Sequence, residues 1–150
     1  MNIRTATVED TDVLMPIVRA YHEFEGIGST EPERARSVAP LLSDDSVGRI
    51  WIILERGQAV GYIAVCFGYS IEFGGRDAFL DEFFLVPAAR SRGLGGRVLE
   101  AVKTEVAQLG VRAMHLEVAR TNLSAKKFYS KAGFRSREHF HLMSCRLGGE

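Results

Sequence analysis

The spacing of apolar residues changes along the chain and predicts an alternation of strands and helices. A short strand is predicted over residues 2–6. Apolar positions then recur at helical spacing over 13–21, after the capping pattern that runs from Thr7 to Asp10. A second helical pattern covers 35–42, where Pro40 is expected to bend or end the helix. The first third of the chain is therefore predicted to form one strand and two helices.

The rest of the chain is predicted to be a group of strands followed by a second alternation. Three strands are predicted from β-branched and apolar runs, at 49–55, 60–70 and 78–86, and the first two form an antiparallel hairpin. The remaining elements, in chain order, are an amphipathic helix over 94–109, a strand over 113–119, a short helix over 122–131 and one or two strands over 134–147.

This order of elements predicts an α/β fold. We expect a mixed, mostly antiparallel sheet of six or seven strands with helices on both faces. The strand–helix–strand unit at 78–119 is expected to be a right-handed parallel crossover. The chain has no internal repeat, low-complexity tract or linker, so a single domain over residues 1–150 is predicted.

Composition and residue spacing argue against several classes of binding partner. Lys and Arg number 19, as do Asp and Glu, so the chain lacks the basic excess of a general nucleic-acid or anionic-membrane binder. No secretory signal and no long apolar run are present, so a cytoplasmic protein without a membrane span is expected. The two cysteines form no CxxC pair, and His139 and His141 lack a third ligand at metal spacing, so no metal site is predicted.

The candidate chemistry lies in the glycine-rich segment 90–97, between a predicted strand and a predicted helix. The first N–H groups of a helix have no partner in that helix, and the helix dipole adds partial positive charge there. Glycines let a ligand approach the backbone closely, and arginines add charge. These residues are Gly93, Gly95, Gly96, Arg90, Arg92 and Arg97. The segment therefore predicts an anion site suited to a pyrophosphate, unless this helix start binds nothing.

Two other phosphate-binding motifs fit this segment poorly. A Walker A loop requires Gly-Lys followed by Ser or Thr, which is absent. A Rossmann fingerprint would require a third glycine where Val98 stands, although Glu117 lies where a ribose-binding acid would be expected.

A family resemblance resolves the choice between these motifs. The pattern Arg90-x-x-Gly93-x-Gly95 is similar to the Arg/Gln-x-x-Gly-x-Gly/Ala signature of the GNAT superfamily of N-acetyltransferases. Asn122-x-x-Ala125-x-x-Phe128-Tyr129-x-x-x-Gly133-Phe134 resembles a later helix of that superfamily, and the resemblance covers nearly the whole chain, from Ile3 onwards.

Two further segments resemble one group within the superfamily, the diamine (spermidine/spermine) acetyltransferases. These are Leu80-Asp81-Glu82-Phe83-Phe84-Leu85 and Tyr21-His22-Glu23-Phe24-Glu25. Asp81 and Glu82 stand in the opposite order to the acids of that group.

The resemblance implies a GNAT fold, acetyl-CoA as co-substrate without a metal, and a homodimer. It implies that the cofactor pyrophosphate lies on the amides of 91–96 and that pantetheine follows the end of the preceding strand. The cofactor-binding residues so implied are Phe83, Phe84, Leu85, Arg90, Ser91, Arg92, Gly93, Leu94, Gly95, Gly96, Asn122 and Tyr129.

The resemblance also suggests catalytic roles. Tyr129 is implied as the general acid that reprotonates the thiolate, and Asp81 or Glu82 as the base. Strand alternation is expected to place Asp81 and Glu82 on opposite faces, so that only one of them faces the site. Glu23 and Glu25 are candidates for holding a cationic amine.

The implied reaction is acetyl transfer to the primary amine of a small molecule, either polyamine-like (diamine-like) or amino-acid-like, by direct attack. Two alternatives remain open. The acceptor could instead be a protein N-terminus, a lysine or an antibiotic amine, or the chain could be a non-catalytic sensor that binds acetyl-CoA.

Overall fold

The structure is a computed structural model, and it describes residues 2–148. Its elements in chain order are β1 (Asn2–Thr5), α1 (Thr11–Glu25), α2 (Glu31–Ser43), β2 (Gly48–Glu55), β3 (Gln58–Ser70), β4 (Gly75–Leu85), α3 (Leu94–Gln108), β5 (Ala113–His115) and α4 (Leu123–Lys131). Short 3₁₀ turns precede α1 and follow β4, at Val8–Asp10 and Pro87–Ala89. The chain divides into two compact units, Met1–Glu117 and Val118–Glu150.

The first unit contains a five-stranded sheet in the order β1-β2-β3-β4-β5. Neighbouring strands are antiparallel except for β4 and β5, which are parallel and are joined through α3. The predicted mixed sheet and the parallel strand–helix–strand unit are therefore confirmed. Five strands form among residues 2–148, which is fewer than the six or seven predicted.

One face of the sheet packs against α1 and α2. Alternate residues of the central strands point to this face because successive side chains of a strand point in opposite directions. The buried cluster joins the sheet residues Ile50, Ile52, Tyr62, Ala64 and Phe84 to Leu14, Ile17, Val18 and Val38 of the two helices.

The opposite face packs against α3. Trp51, Ile53, Ile63 and Val65 alternate with the residues of the first face and are fully buried. The apolar stripe of α3 is buried as well, with Leu94, Val98, Leu99, Val102 and Val106. The indole Nε1 of Trp51 donates a hydrogen bond to Glu105 Oε2 at 2.8 Å, which fixes α3 to this face. Helices thus cover both faces, as predicted.

The connection from β1 to α1 is held by Asp10. Both Arg4 guanidinium nitrogens donate to its carboxylate, at 2.9 and 2.8 Å, and the Thr7 amide donates at 2.8 Å. The hydrogen bond from Arg4, above all, lowers the pKa of Asp10 to about 2. The predicted capping pattern at Thr7 is therefore present.

The last part of the chain differs from the prediction. The strand expected over 113–119 extends only over Ala113–His115, and residues 134–148 form no strand among those described. Every side chain from 135 to 148 is exposed, including Phe140 and Leu142. An alternating pattern stabilises a strand only when one face is buried, so this segment gains nothing from forming one. The predicted number of strands, six or seven, was therefore too high for the described residues.

Pro40 also differs from the expectation that it would bend or end its helix. It lies inside α2, which continues to Ser43 and ends with the Asp44 amide bonded to the Pro40 carbonyl.

In the part of the chain that the structure describes, no helix is both long and apolar enough to span a membrane.

Candidate active site

The glycine-rich segment forms a tight connection between β4 and α3. β4 ends at Leu85, a 3₁₀ turn follows, and α3 begins at Leu94. Ser91 and Gly93 both have left-handed backbone conformations, with φ of 66° and 73°. Left-handed residues between others of ordinary conformation turn successive N–H groups toward one side, which makes an anion-binding concavity.

The amides of this connection are free to bind a ligand. Among residues 2–148, no N–H group from Ser91 to Gly96 donates a hydrogen bond to the protein, and the first paired amide is that of Arg97, to Gly93 O at 3.3 Å. A Cβ built on Gly93 or Gly96 would meet no atom within 4 Å. The connection therefore offers six unpaired donors next to open space, as a phosphate site requires.

Two of the three arginines near this connection already have partners in the protein. Arg90 Nε donates to Leu85 O at 2.7 Å, and its guanidinium lies 5.1 Å from the ring centres of Phe24 and Phe84. Arg92 Nη2 donates to Glu55 Oε1 at 2.7 Å. Arg97 is exposed. The positive charge of Arg90 is thus held beside the end of β4.

The second half of β4 leaves one backbone edge without a neighbouring strand in the Met1–Glu117 unit. Its parallel pairing with β5 ends where Phe79 meets His115, but β4 continues to Leu85. The predicted cofactor-binding residues Phe83, Phe84 and Leu85 lie in this part. Ligands of α/β sheets bind at the carboxyl ends of parallel strands, where such an edge opens.

A β-bulge places Asp81 and Glu82 side by side. Ala64 of β3 pairs with Glu82, whereas the next residue, Val65, pairs with Leu80, so Asp81 is the extra residue of β4. Because the bulge interrupts the alternation, both carboxylates line the same small cavity. The expectation that they would lie on opposite faces was therefore wrong.

This acidic cavity, of about 60 Å³, lies between α1, α2 and the two central strands. Its polar lining consists of His22 and Arg34 from the helices, Ser37 from α2, Tyr62 from β3, and Asp81 and Glu82 from β4. Its apolar lining includes Val38, Leu41, Ile50 and Ala64. The volume is close to that of two water molecules in the liquid, so it can accept one small polar group.

Glu82 is held from both sides inside the acidic cavity. The Tyr62 hydroxyl donates to Oε1 at 2.8 Å, and His22 Nε2 lies 2.8 Å from Oε2. The Glu82 side chain is 18% exposed. Burial, with the negative charge of Glu82 added, raises the pKa of Tyr62, so its hydroxyl keeps its proton and acts as a donor.

Asp81 has a different environment from Glu82. Its carboxylate makes no hydrogen bond within residues 2–148, and part of its surface is exposed. Partial burial of the carboxyl raises the pKa of Asp81, and the nearby His22 opposes this effect. The bulge therefore presents one carboxylate held by hydrogen bonds and one that makes no hydrogen bond to the protein within the described residues.

Four polar residues of this cavity were not predicted as site residues: His22, Arg34, Ser37 and Tyr62. His22 stands inside the aromatic and acidic stretch that carried the family resemblance, which was its only signal. Tyr62 belongs to an apolar strand, and Arg34 to an ordinary charged helix, so no pattern distinguished them.

The predicted amine-binding residues do not reach the acidic cavity. Glu23 is exposed and pairs with Arg19 at 3.0 Å, one helical turn away. Glu25 is exposed at the last position of α1. Neither residue lines the cavity.

The second unit contains the other two predicted site residues. Asn122 caps α4, because its Oδ1 accepts a hydrogen bond from the Ala125 amide at 3.1 Å. Tyr129 is half-buried in α4, with its ring centre 5.1 Å from that of Phe128 and 5.7 Å from that of Phe134. These edge-on ring contacts restrict the orientation of the Tyr129 phenol.

No group of three metal-ligating side chains occurs between residues 2 and 148. His139 and His141 lie in the exposed last segment.

Comparison with known proteins identifies the family. The model of the acetyltransferase (GNAT) family matches residues 14–134. The chain is 32% identical over 135 residues to the uncharacterised N-acetyltransferase YhfO of Bacillus subtilis strain 168, covering 89% of each protein. It is 30% identical over 144 residues to an uncharacterised N-acetyltransferase of Archaeoglobus fulgidus, covering 92% of this chain and 95% of that protein.

Solved structures share the fold of the chain. An integron cassette protein from the mobile metagenome of Cole Harbour Salt Marsh superposes with a TM-score of 0.86 at 34% identity, over 99% of this chain and 91% of the other. A probable acetyltransferase superposes over the full length of both chains with a TM-score of 0.87; at 22% identity it shows the fold alone. The chain therefore belongs to the acetyltransferase (GNAT) family and is an acetyltransferase.

Proposed function

We propose that the chain transfers an acetyl group from acetyl-CoA to the primary amine of a small molecule, polyamine-like or amino-acid-like, by direct attack of the amine on the thioester. The observation that carries this proposal is the second half of β4. This segment presents Asp81 and Glu82 at the acidic cavity, continues beyond the pairing of β4 with β5, and leads into the six free amides of Ser91–Gly96.

The residues present fit the cofactor. The free amides of Ser91–Gly96 would hold the pyrophosphate, and the main chain at Phe83–Leu85, past the end of the β4–β5 pairing, would bind the amide groups of pantetheine. Arg97 is exposed and supplies charge, while Arg90 and Arg92 would act from the positions that their protein partners fix. Acetyl-CoA supplies the activated acetyl group as a thioester.

Glu82 is the proposed base. A primary amine has a pKa near 10, so it reaches the site as an ammonium ion and must lose a proton before it can attack. Glu82 would take that proton, and Asp81 would attract the cation to the cavity. The nitrogen then forms a bond to the acetyl carbon while the carbon–sulfur bond breaks, and the thiolate leaves.

Tyr129 is the proposed acid that returns a proton to the thiolate. The phenol is oriented by its contacts with Phe128 and Phe134. A backbone N–H near Leu85 would polarise the thioester carbonyl, a contribution of about 3 kcal/mol per donor in comparable acyl transfers. Asn122 would remain the cap of α4 while binding the cofactor through its amide.

The form of the acidic cavity favours a small acceptor. Two adjacent carboxylates attract a cation, and a space of about 60 Å³ admits an aminomethyl group on a narrow chain. A diamine fits this description, and the amino end of an amino-acid-like compound does so as well.

A homodimer is proposed from the family resemblance.

The direct test is thiol release from acetyl-CoA with a panel of polyamines, amino acids, thialysine-like amines and peptides. Cys145 is exposed and would react with the thiol reagent, so the assay requires Cys145→Ser as its background. We expect turnover with at least one small amine. Stabilisation by CoA without turnover on any acceptor would contradict the proposal and favour a sensor, and turnover on peptides alone would favour a protein acceptor.

We expect Tyr129→Phe to lower kcat by about 100-fold, because proton donation in the transition state contributes at least that factor. Acetyl-CoA affinity should stay close to that of the unaltered protein, since the ring remains. Unchanged kcat at saturating substrates would remove Tyr129 from the proposed role. Phe128→Leu serves as a control for altered packing in α4.

A further inference from the structure

A continuous chain of hydrogen bonds runs from the acidic cavity into the α1–α2 connection, and Glu82 is its one member with a role in the proposed reaction. Tyr62 donates to Glu82, Glu82 contacts His22, and His22 Nδ1 lies 2.8 Å from the hydroxyl of Ser29. Arg34 Nη1 lies 3.2 Å from the same Ser29 hydroxyl, and Arg34 is also bonded to the Ser29 carbonyl and to Glu31. The chain links α1, the α1–α2 connection, α2 and the two central strands.

The direction of each bond in this chain follows from what each group can donate. An arginine only donates, so Ser29 Oγ accepts from Arg34 and keeps its own proton for another partner. A carboxylate only accepts, so the hydrogen between His22 and Glu82 lies on Nε2. In the neutral imidazole, Nδ1 is then an acceptor, and the Ser29 hydroxyl donates to it.

We infer that His22 is a positioning residue for the reaction, and that its Nε2–H fixes the Glu82 carboxylate as the group that receives the proton of the acceptor amine. This inference rests on the proposed function. Ser29 and Arg34 select the tautomer of His22 that can donate to Glu82, and Tyr62 holds the other carboxylate oxygen. Asp81 lacks any such partner within residues 2–148, so the chain of bonds also determines which carboxylate of the bulge is oriented.

Burial supports a fixed geometry for these groups. The side chains of His22 and Glu82 are 13% and 18% exposed, and Tyr62 is fully buried. The His22 ring also contacts Tyr21 edge-on, with centres 5.9 Å apart. A carboxylate with both oxygens bonded to buried donors loses little rotational freedom during the reaction, which is how a positioned base gains efficiency.

Two substitutions at His22 distinguish the role of its Nε2 from that of its Nδ1. His22→Gln places an amide N–H close to the position of Nε2, whereas His22→Asn reaches only the position of Nδ1, toward Ser29. We expect His22→Gln to retain kcat within about threefold. His22→Asn should lower kcat by about tenfold to hundredfold, with less change in the KM for acetyl-CoA, since misplacing a reacting group costs about this much. Equal losses in both variants, or no loss in either, would overturn the inference.

A spectroscopic measurement tests the same point without activity. Long-range ¹H–¹⁵N correlation spectra of the neutral imidazole should show the proton of His22 on Nε2, and Ser29→Ala should weaken this preference. A proton on Nδ1 in the unaltered protein would contradict the inference, even if His22→Asn folded poorly. Failure of the unaltered protein to acetylate any amine would instead contradict the proposed function and leave the tautomer as the test of His22.

Discussion

At the scale of single residues, the two neighbouring acids of the β4 bulge are expected to differ in importance. Glu82→Gln keeps the shape of the side chain, but its amide has one oxygen, so it accepts from only one of Tyr62 and His22, and it cannot take a proton. We expect kcat to fall by about 100-fold or more. Asp81→Asn, the matched control, should lower kcat by about tenfold or less, because the proposed role of Asp81 is only to attract the cation. Turnover at saturating acetyl-CoA measures both, and a larger loss in Asp81→Asn would reverse the assignment.

Two glycines of the β4–α3 connection are expected to respond oppositely to alanine. Gly93 has a left-handed conformation, so Gly93→Ala should lower the free energy of unfolding by about 1 kcal/mol. Gly96 lies inside α3 next to open space, so Gly96→Ala should raise it by up to about 1 kcal/mol. Urea unfolding measures both values. Equal changes would mean that the connection does not have the described backbone.

The sequence could predict the amide-rich connection but not the surroundings of Glu82. Gly93 and its neighbours form a local pattern, and local patterns determine a turn and a helix start. The partners of Glu82 are 60 and 20 positions away, at His22 and Tyr62. Contacts at such separations depend on how helices pack on the sheet, which the spacing of residues in one sequence does not reveal.

At the scale of elements, the start of α1 depends on the ion pair of Arg4 and Asp10. Since the pKa of Asp10 is lowered in the folded protein, this contact stabilises the fold fully above the unfolded pKa of about 3.9 and loses its effect as pH falls through the folded pKa of about 2. We expect Asp10→Asn to lower the free energy of unfolding near neutral pH by about 1–2 kcal/mol, allowing for screening of the half-exposed Arg4.

The pH series is what distinguishes this contact from simple packing. The difference between Asp10→Asn and the unaltered protein should shrink as unfolding is measured at lower pH, and it should approach zero only below pH 2. A difference that stays constant over this range would show that the charge of Asp10 does not stabilise α1. Asp12→Asn, on the exposed first turn of α1, is the control.

Elements with a buried face were predicted well, and those without one were not. β2, β3 and β4 match their expected ranges closely, because each strand buries apolar residues against the packed helices. The bulge at Asp81 leaves no mark in the alternation of residues, so it could not be predicted. The expected strands over 134–147 have the right alternation but no buried face.

At the scale of the whole molecule, β4 is both a strand of the sheet and the carrier of the two candidate catalytic carboxylates. In the Met1–Glu117 unit, its first half pairs with β5, and its second half carries the carboxylates before it leads to α3. The face covered by α1 and α2 contains the acidic cavity, and α3 buries the opposite face. The family match covers 14–134 and therefore includes all of these parts. Family membership and the described geometry thus point to one reaction.

The most direct test of the central claim is a backbone ¹H–¹⁵N titration with coenzyme A, using pantetheine, which lacks the phosphates, as the matched control. We predict that coenzyme A shifts the amide signals of Ser91–Gly96 most strongly and that pantetheine leaves them nearly unchanged while shifting those of Phe83–Leu85. Binding of coenzyme A that leaves the Ser91–Gly96 signals in place would contradict the account.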